Sequence, residues 1–164
     1  TLHPTRRMPD PYQAGLTILS HRELSTAQVR DRLARRGFDP TSIETAIQQL
    51  QRSGALDDSR TARSVAHRSA NVSLYGRNRV MRELRNRGIS QDISTSVIEE
   101  VYSEIDEHDL SERALARRLK GPIESLAEMR RLYQYLIRQG FDGWLAQSIL
   151  RTHTTQPEVD DDNI

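Results

Sequence analysis

Chemistry that needs a metal or a nucleophile finds little to work with in this chain. The five histidines, His3, His21, His67, His108 and His153, share no helical ligand spacing, and none sits in an H-E-x-x-H arrangement. There is no cysteine, which excludes a disulfide framework, a thiolate metal site and a cysteine nucleophile. No glycine-rich phosphate loop is present, and no serine sits in a nucleophile elbow. Two adjacent acid pairs remain. Asp57 and Asp58 read as caps of the helix that follows, where carboxylates accept from the first N–H groups and complement the positive helix end. Glu99 and Glu100 are neighbours on a helix and point to different faces. The expectation is a non-catalytic protein with no cofactor and no metal.

The residue types that could do work are cations. Twenty-four Lys+Arg stand against 23 Asp+Glu for a net charge of +1, and 23 of the 24 are arginine; Lys120 is the exception. Near neutrality hides segregation. Residues 60–87 hold eight Arg and one acid, Glu83; residues 88–112 hold eight acids and no Lys or Arg. Residues 113–154 return to eight basic against three acidic, and the segment after Thr154 carries Glu158, Asp160, Asp161 and Asp162 with no base. Such blocks create local fields that steer partners even when net charge is small. Arginine grips carboxylate or phosphate bidentately. Two clusters follow: Arg77, Arg79, Arg82 and Arg85, and then Arg113, Arg117, Arg118 and Lys120. The same clusters also suit a plain solvated helix face.

The elements that must carry these cations are helical. Segments between turn signals show helical spacing, and no two-residue alternation of β-branched residues appears. Ser25 with Gln28 and Ser125 with Glu128 form capping-box patterns, and Asp39-Pro40 places a cap before a first-turn proline. Gly37, Gly54, Gly88 and Gly140 fall where left-handed helix stops belong.

A repeat organises them. Leu33-Ala-Arg-Arg-Gly-Phe-Asp39 recurs as Leu84-Arg-Asn-Arg-Gly-Ile-Ser90 and Leu136-Ile-Arg-Gln-Gly-Phe-Asp142, at spacings of 51 and 52 residues. Val29, Val80 and Leu132 each lie one turn before the motif leucine, and Ala46-Ile47, Val97-Ile98 and Ile149-Leu150 follow in register. Each period has room for one more helix in front. The fold class expected is all-α: three tandem three-helix repeats stacked into an elongated, curved molecule. The segments are a flexible 1–11, repeats at 12–55, 56–105 and 106–154, and an acidic disordered tail at 155–164. Units of ~50 residues are marginal alone, so neighbours should share burial, which accounts for only 35% hydrophobic residues. No apolar run approaches the ~20 residues of a membrane span, and no charged-then-apolar leader is read.

Register also sorts the arginines. Arg36 and Arg87 precede their glycine stops and Arg138 lies one position off, matching Arg35; these read as last-turn cations stabilising the helix dipole by ~0.3–1 kcal/mol each. The middle repeat's excess is different: only Arg79 has a counterpart, Arg131, in the third repeat, while the first has Gln28. An excess confined to one helix is not needed for folding, so these residues are candidate contacts to a partner.

The ordered combination of Leu56-Asp57-Asp58, Ala62, Arg68, Tyr75-Gly76-Arg77, Arg79-Val80, Glu83-Leu84 and Arg87-Gly88-Ile89 resembles the central signature of the RecX family, bacterial regulators of the RecA recombinase. His21-Arg22-Glu23, Ser25, Val29, Leu33 and Gly37 are similar to its opening pattern, and Tyr135-Leu136-Ile137-Arg138-Gln139-Gly140-Phe141 to its closing segment. The resemblance implies a cytoplasmic, monomeric modulator that binds the groove of the RecA filament on single-stranded DNA. It would thereby restrain filament extension, ATP hydrolysis, strand exchange and coprotease activity in recombinational repair and the SOS response. Weak direct DNA contact is expected besides. The alternatives are a helix-turn-helix-like DNA-binding regulator, or a helical adaptor for another protein.

Overall fold

The computed structural model describes residues 10–155. The segments expected as flexible (1–11) and as an acidic tail (155–164) lie outside the described residues, save Asp10, Pro11 and Thr155. Among the described residues there are nine helices and no strand, only an isolated bridge pairing Ile123 with Thr154. The helices are α1 (Pro11–His21), α2 (Thr26–Arg35), α3 (Pro40–Arg52), α4 (Asp58–Asn71), α5 (Arg77–Asn86), α6 (Gln91–Tyr102), α7 (Glu107–Ala116), α8 (Leu126–Arg138) and α9 (Gly143–Thr152).

Their ends are where local chemistry puts them. Ser25 and Gln28 complete a reciprocal capping box on α2, and Asp39 caps α3 by accepting from Ser42. The Ser42 hydroxyl and then its backbone N–H hold the Asp39 carboxyl below its usual pKa. Ser125 accepts from the Glu128 N–H, but Glu128 reaches back to the Glu124 N–H rather than to Ser125. Gly37, Gly54, Gly88 and Gly140 are the glycines with positive φ. At the three repeat stops the residue after glycine donates to the motif leucine: Phe38 to Leu33, Ile89 to Leu84 and Phe141 to Leu136. Glycine itself donates three residues back, completing a Schellman turn. The repeat is also visible in burial: Val29, Val80 and Leu132, the three motif leucines and the three downstream apolar pairs are all buried.

Packing groups the described residues into two compact units. One holds residues through Val65 with Glu83–Val97; the other holds Ala66–Arg82 with residues from Ile98 onward. The division falls inside α4, α5 and α6, so the middle repeat contributes to both. In the first unit α1 packs closely on α3, close enough that a β-carbon on Gly15 would lie 2.7 Å from Leu50 Cδ1, over a core of Ile18, Val29, Leu33, Ile47 and Leu50. In the second, α7, α8 and α9 pack on one another around Leu115, Leu136, Phe141, Ile149 and Leu150.

One docking arrangement occurs in both units. In the first, the end of α5 meets the start of α2: the buried Ser25 hydroxyl donates to the Arg87 carbonyl, and a β-carbon on Gly88 would lie 2.5 Å from Ala27 Cβ. In the second, the end of α8 meets the start of α5: the Gly76 N–H donates to the Gln139 carbonyl at 2.8 Å and the Asn78 N–H to the Gly140 carbonyl at 3.1 Å. A helix start has N–H groups without intrahelical partners, and a helix end has carbonyls in the same condition. In the second junction each supplies the other, and in the first a capping hydroxyl takes the place of the N–H. The second junction is tighter. A β-carbon on Gly76 would sit 2.5 Å from the Gly140 oxygen, and one on Gly140 2.4 Å from the Arg79 nitrogen, so neither position admits a side chain.

Gly54 and Gly140 should therefore respond differently to alanine. Gly54 has positive φ but open space around it, so Gly54→Ala should cost the left-handed penalty of ~1–2 kcal/mol. Gly140→Ala should cost a further ~1–3 kcal/mol of overpacking. Urea unfolding midpoints measure the difference.

Candidate basic groove

Four of the nine candidate cations are held within the fold. Arg77 pairs with Glu107 at 3.0 Å and lies 5.6 Å from the Tyr102 ring centre. Arg79 stacks on Tyr75 at 3.7 Å and donates to the Arg138 carbonyl at 3.4 Å, as does Arg82. Arg117 donates to the Val72 and Ser73 carbonyls at 2.9 and 3.2 Å. Those carbonyls lie just beyond α4, in the turn where Leu74 takes φ 58. That conformation costs a non-glycine residue ~1–2 kcal/mol. Burial of the Leu74 side chain and the Arg117 clamp offset the strain, and the turn delivers Tyr75 and Gly76 to their places.

The other five are Arg85, Arg113, Arg118, Lys120 and Arg131, all exposed. Three of them come together. Arg118 and Lys120, following α7, face Arg130, Arg131 and Arg138 of α8 across a groove of ≈ 650 Å³. Arg131, Gln134, Tyr135 and Arg138 share one helix face by their spacing and form its wall. Among the described residues Glu128 is the one acid that lines it. Arg118 lies over the Tyr135 ring at 5.0 Å, and the Tyr135 hydroxyl donates to the Ala114 carbonyl at 3.1 Å. The aromatic thus serves as a buried platform that orients a guanidinium. Among the described residues none of the five groove cations makes an ion pair. No group of three His, Asp or Glu able to hold a metal occurs among the described residues, and no helix there is long and apolar enough to cross a membrane.

Comparison with known proteins fits this architecture. The family model of the first three-helix domain of RecX matches residues 12–50, and that of the second three-helix domain matches residues 57–98. A regulatory protein RecX from Pelodictyon phaeoclathratiforme is 31% identical over 160 residues, covering 94% of each chain. The chain belongs to the RecX family. Another RecX, from Thermotoga maritima, is 32% identical over 140 residues, covering 85% of this chain and 82% of its own. The crystal structure of RecX from Lactobacillus salivarius superposes with a TM-score of 0.72 at 20% identity, over 87% of this chain and 93% of that one, so the fold is shared. The RecX relatives are regulatory proteins by name.

In this RecX chain the groove contains two cations that sequence reasoning did not select, Arg130 and Arg138. Arg138 looked like a last-turn cation; its carbonyl does serve the α5–α8 junction, while its side chain lines the groove. For Arg138 the available signal was the 131–134–135–138 spacing on one helix; Arg130 is not part of that set. Asp58 also differs from the reading of a local cap. Asp57 alone accepts from Ser59 and Arg60 at the start of its own helix, whereas Asp58 Oδ1 accepts from the Thr26 N–H of α2 at 2.7 Å.

Two classes of arginine should separate in thermal unfolding. Arg79→Ala and Arg117→Ala, which lose a ring contact or two carbonyl contacts, should each destabilise by ~1 kcal/mol. Arg130→Ala and Arg131→Ala should stay within ~0.5 kcal/mol of the parent.

Proposed function

We propose that this protein is a non-catalytic modulator of the RecA recombinase, acting in the cytoplasm as a monomer. It binds the groove of the RecA filament on single-stranded DNA and restrains filament extension, ATP hydrolysis, strand exchange and coprotease activity, in recombinational repair and the SOS response. Family membership supports the reading, and the observation that carries it is the basic groove along α8, whose five cations form no ion pair among the described residues. Five cations gathered on one surface attract a negatively charged partner and accelerate encounter with it. Arg82 and Arg85 of α5, both exposed, are a second candidate contact. Arg77 and Arg79 act indirectly, by holding the turn and helix that present them. Weak direct DNA binding follows from the same cations, and its salt sensitivity does not distinguish a specific partner.

The test is ATP hydrolysis by RecA on single-stranded DNA, titrated with this protein. The parent should inhibit. The double reversal Lys120→Glu/Arg131→Glu should raise the half-inhibiting concentration at least tenfold with an unchanged circular dichroism melt. Arg82→Glu/Arg85→Glu reports separately on α5. Undiminished inhibition by both well-folded pairs would reject these surfaces as the contact.

A further inference from the structure

We propose that the cleft between α8 and α9 is a docking site for an amphipathic helix of another protein, flanked by carboxylates. The cleft encloses ≈ 320 Å³ and is separated from the basic groove by a ridge of Arg130 and Gln134, which line both. Its lining is largely apolar. Leu126, Met129 and Tyr133 recur at helical spacing along α8, and the buried Leu150 of α9 faces them. On α9, Trp144 shares one stripe with Gln147 and Arg151 of the cleft by its spacing. A β-carbon on Gly143 would lie 2.8 Å from the Tyr133 hydroxyl, so α9 starts against Tyr133 and Trp144 follows at once. Folding leaves Leu126 64% exposed and Trp144 76% exposed. Apolar side chains gathered on one exposed surface mark a contact site. Trp, Tyr, Met and Arg are also the types enriched in protein interfaces.

Length and charge select the occupant. Leu126 and Tyr133 are two helical turns apart, about 10 Å at a 1.5 Å rise per residue, so a helix of about three turns covers the cleft. A helix in a groove inserts apolar anchors at i, i+3, i+4 and i+7. Its flanks meet cations: Arg130 comes from α8 and Arg151 from α9. Among the described residues no acid lines the cleft, and neither arginine makes an ion pair. Guanidinium forks take carboxylates bidentately. The cations of the basic groove extend the positive field on the Arg130 side. Carboxylates beside the apolar anchors therefore complete the match.

Two other occupants fit less well. A two-fold contact between copies of this chain brings the patch onto itself, which sets Arg130 and Arg151 against the same cations with no acid of the cleft between them. Sites for single-stranded nucleic acid place aromatic faces in succession along a basic track, whereas leucine and methionine make up most of this apolar surface. The inference does not rest on the recombinase reading, which is carried by the basic groove across the ridge.

The experiment uses the full chain and a synthetic helix, so its outcome is separable from inhibition of the recombinase. The probe is a labelled, side-chain-stapled peptide of about fifteen residues, with leucine at i, i+3, i+4 and i+7, glutamate on both flanks and no tryptophan. Trp144 is the chain's one tryptophan, so it reports occupancy directly. Saturable binding should shift its emission to the blue and reduce its quenching by acrylamide at least twofold. Leu126→Ala/Trp144→Ala, at two exposed positions, should weaken binding at least tenfold by fluorescence anisotropy. Arg130→Glu/Arg151→Gln should weaken it at least tenfold and should favour the same peptide with lysine in place of glutamate. Arg151 is neutralised rather than reversed because it is a last-turn cation of α9. Circular dichroism melts confirm that both variants are folded. Absence of saturable binding, equal binding of the glutamate and lysine peptides by the parent, unmoved Trp144 emission at saturation, or indifference to either variant pair overturns the proposal. So does oligothymidylate that protects Trp144 at a lower concentration than the peptide. So does a parent chain that dimerises in sedimentation equilibrium through a contact abolished by Leu126→Ala/Trp144→Ala.

Discussion

The junction between one helix's end and another's start is the constraint on which the rest depends. A three-helix repeat of this size buries too little to stand alone, and it must associate without leaving helix-terminal groups unpaired. The end of α5 meets α2, and the end of α8 meets α5, through the same pairing of terminal carbonyls with terminal N–H groups or a capping hydroxyl. A left-handed glycine turn makes the approach possible, because a side chain at Gly88 or Gly140 would occupy the space of the partner helix. The two junctions use different chemistry. Ser25 inserts a hydroxyl where Gly76 brings its backbone directly into contact. The motif around Tyr75-Gly76-Arg77 is therefore primarily a solution to close approach.

That solution determines what the arginines do. Once α8 lies against the start of α5, Arg79 and Arg82 reach the Arg138 carbonyl, at the negative end of α8. Arg117 does the same for the carbonyls beyond α4. Cations at helix ends are favourable and still partly exposed. Arginines that find such acceptors are fixed in place, while Arg130, Arg131 and Arg138 of α8 line the groove without an ion pair among the described residues. A surface concentrating one sign of charge is costly for folding and useful for recognition.

Much of the fold was legible in the residues. Caps, glycine stops and the apolar register involve partners within a turn or two, so Ser25, Asp39, Gly88 and Leu136 carry their meaning locally. The site was less legible. Comparing repeats singled out the arginines of α5 because they exceed the pattern, and it passed over Arg138 because it fits the pattern. Both judgements rest on position within a helix, whereas occupancy depends on neighbours distant in sequence. Arg117 meets a carbonyl 45 residues away, and Asp58 caps a helix 32 residues away. Such partners leave no periodic trace.

By itself, the sequence determined an all-helical chain of three-helix repeats, the caps and glycine stops of the repeat's motif helices, the apolar positions that recur in register, and the family resemblance. These follow from backbone hydrogen bonding and hydrophobic periodicity, which act over a few residues. Only the tertiary structure decided which cations are held and which are presented, that Gly76 and Gly140 must lack side chains for mutual contact, and that Arg118, Lys120, Arg130, Arg131 and Arg138 form one groove. The reason is geometric: electrostatic and steric partners are set by which helix ends are packed together, and that packing is a property of the assembled repeats.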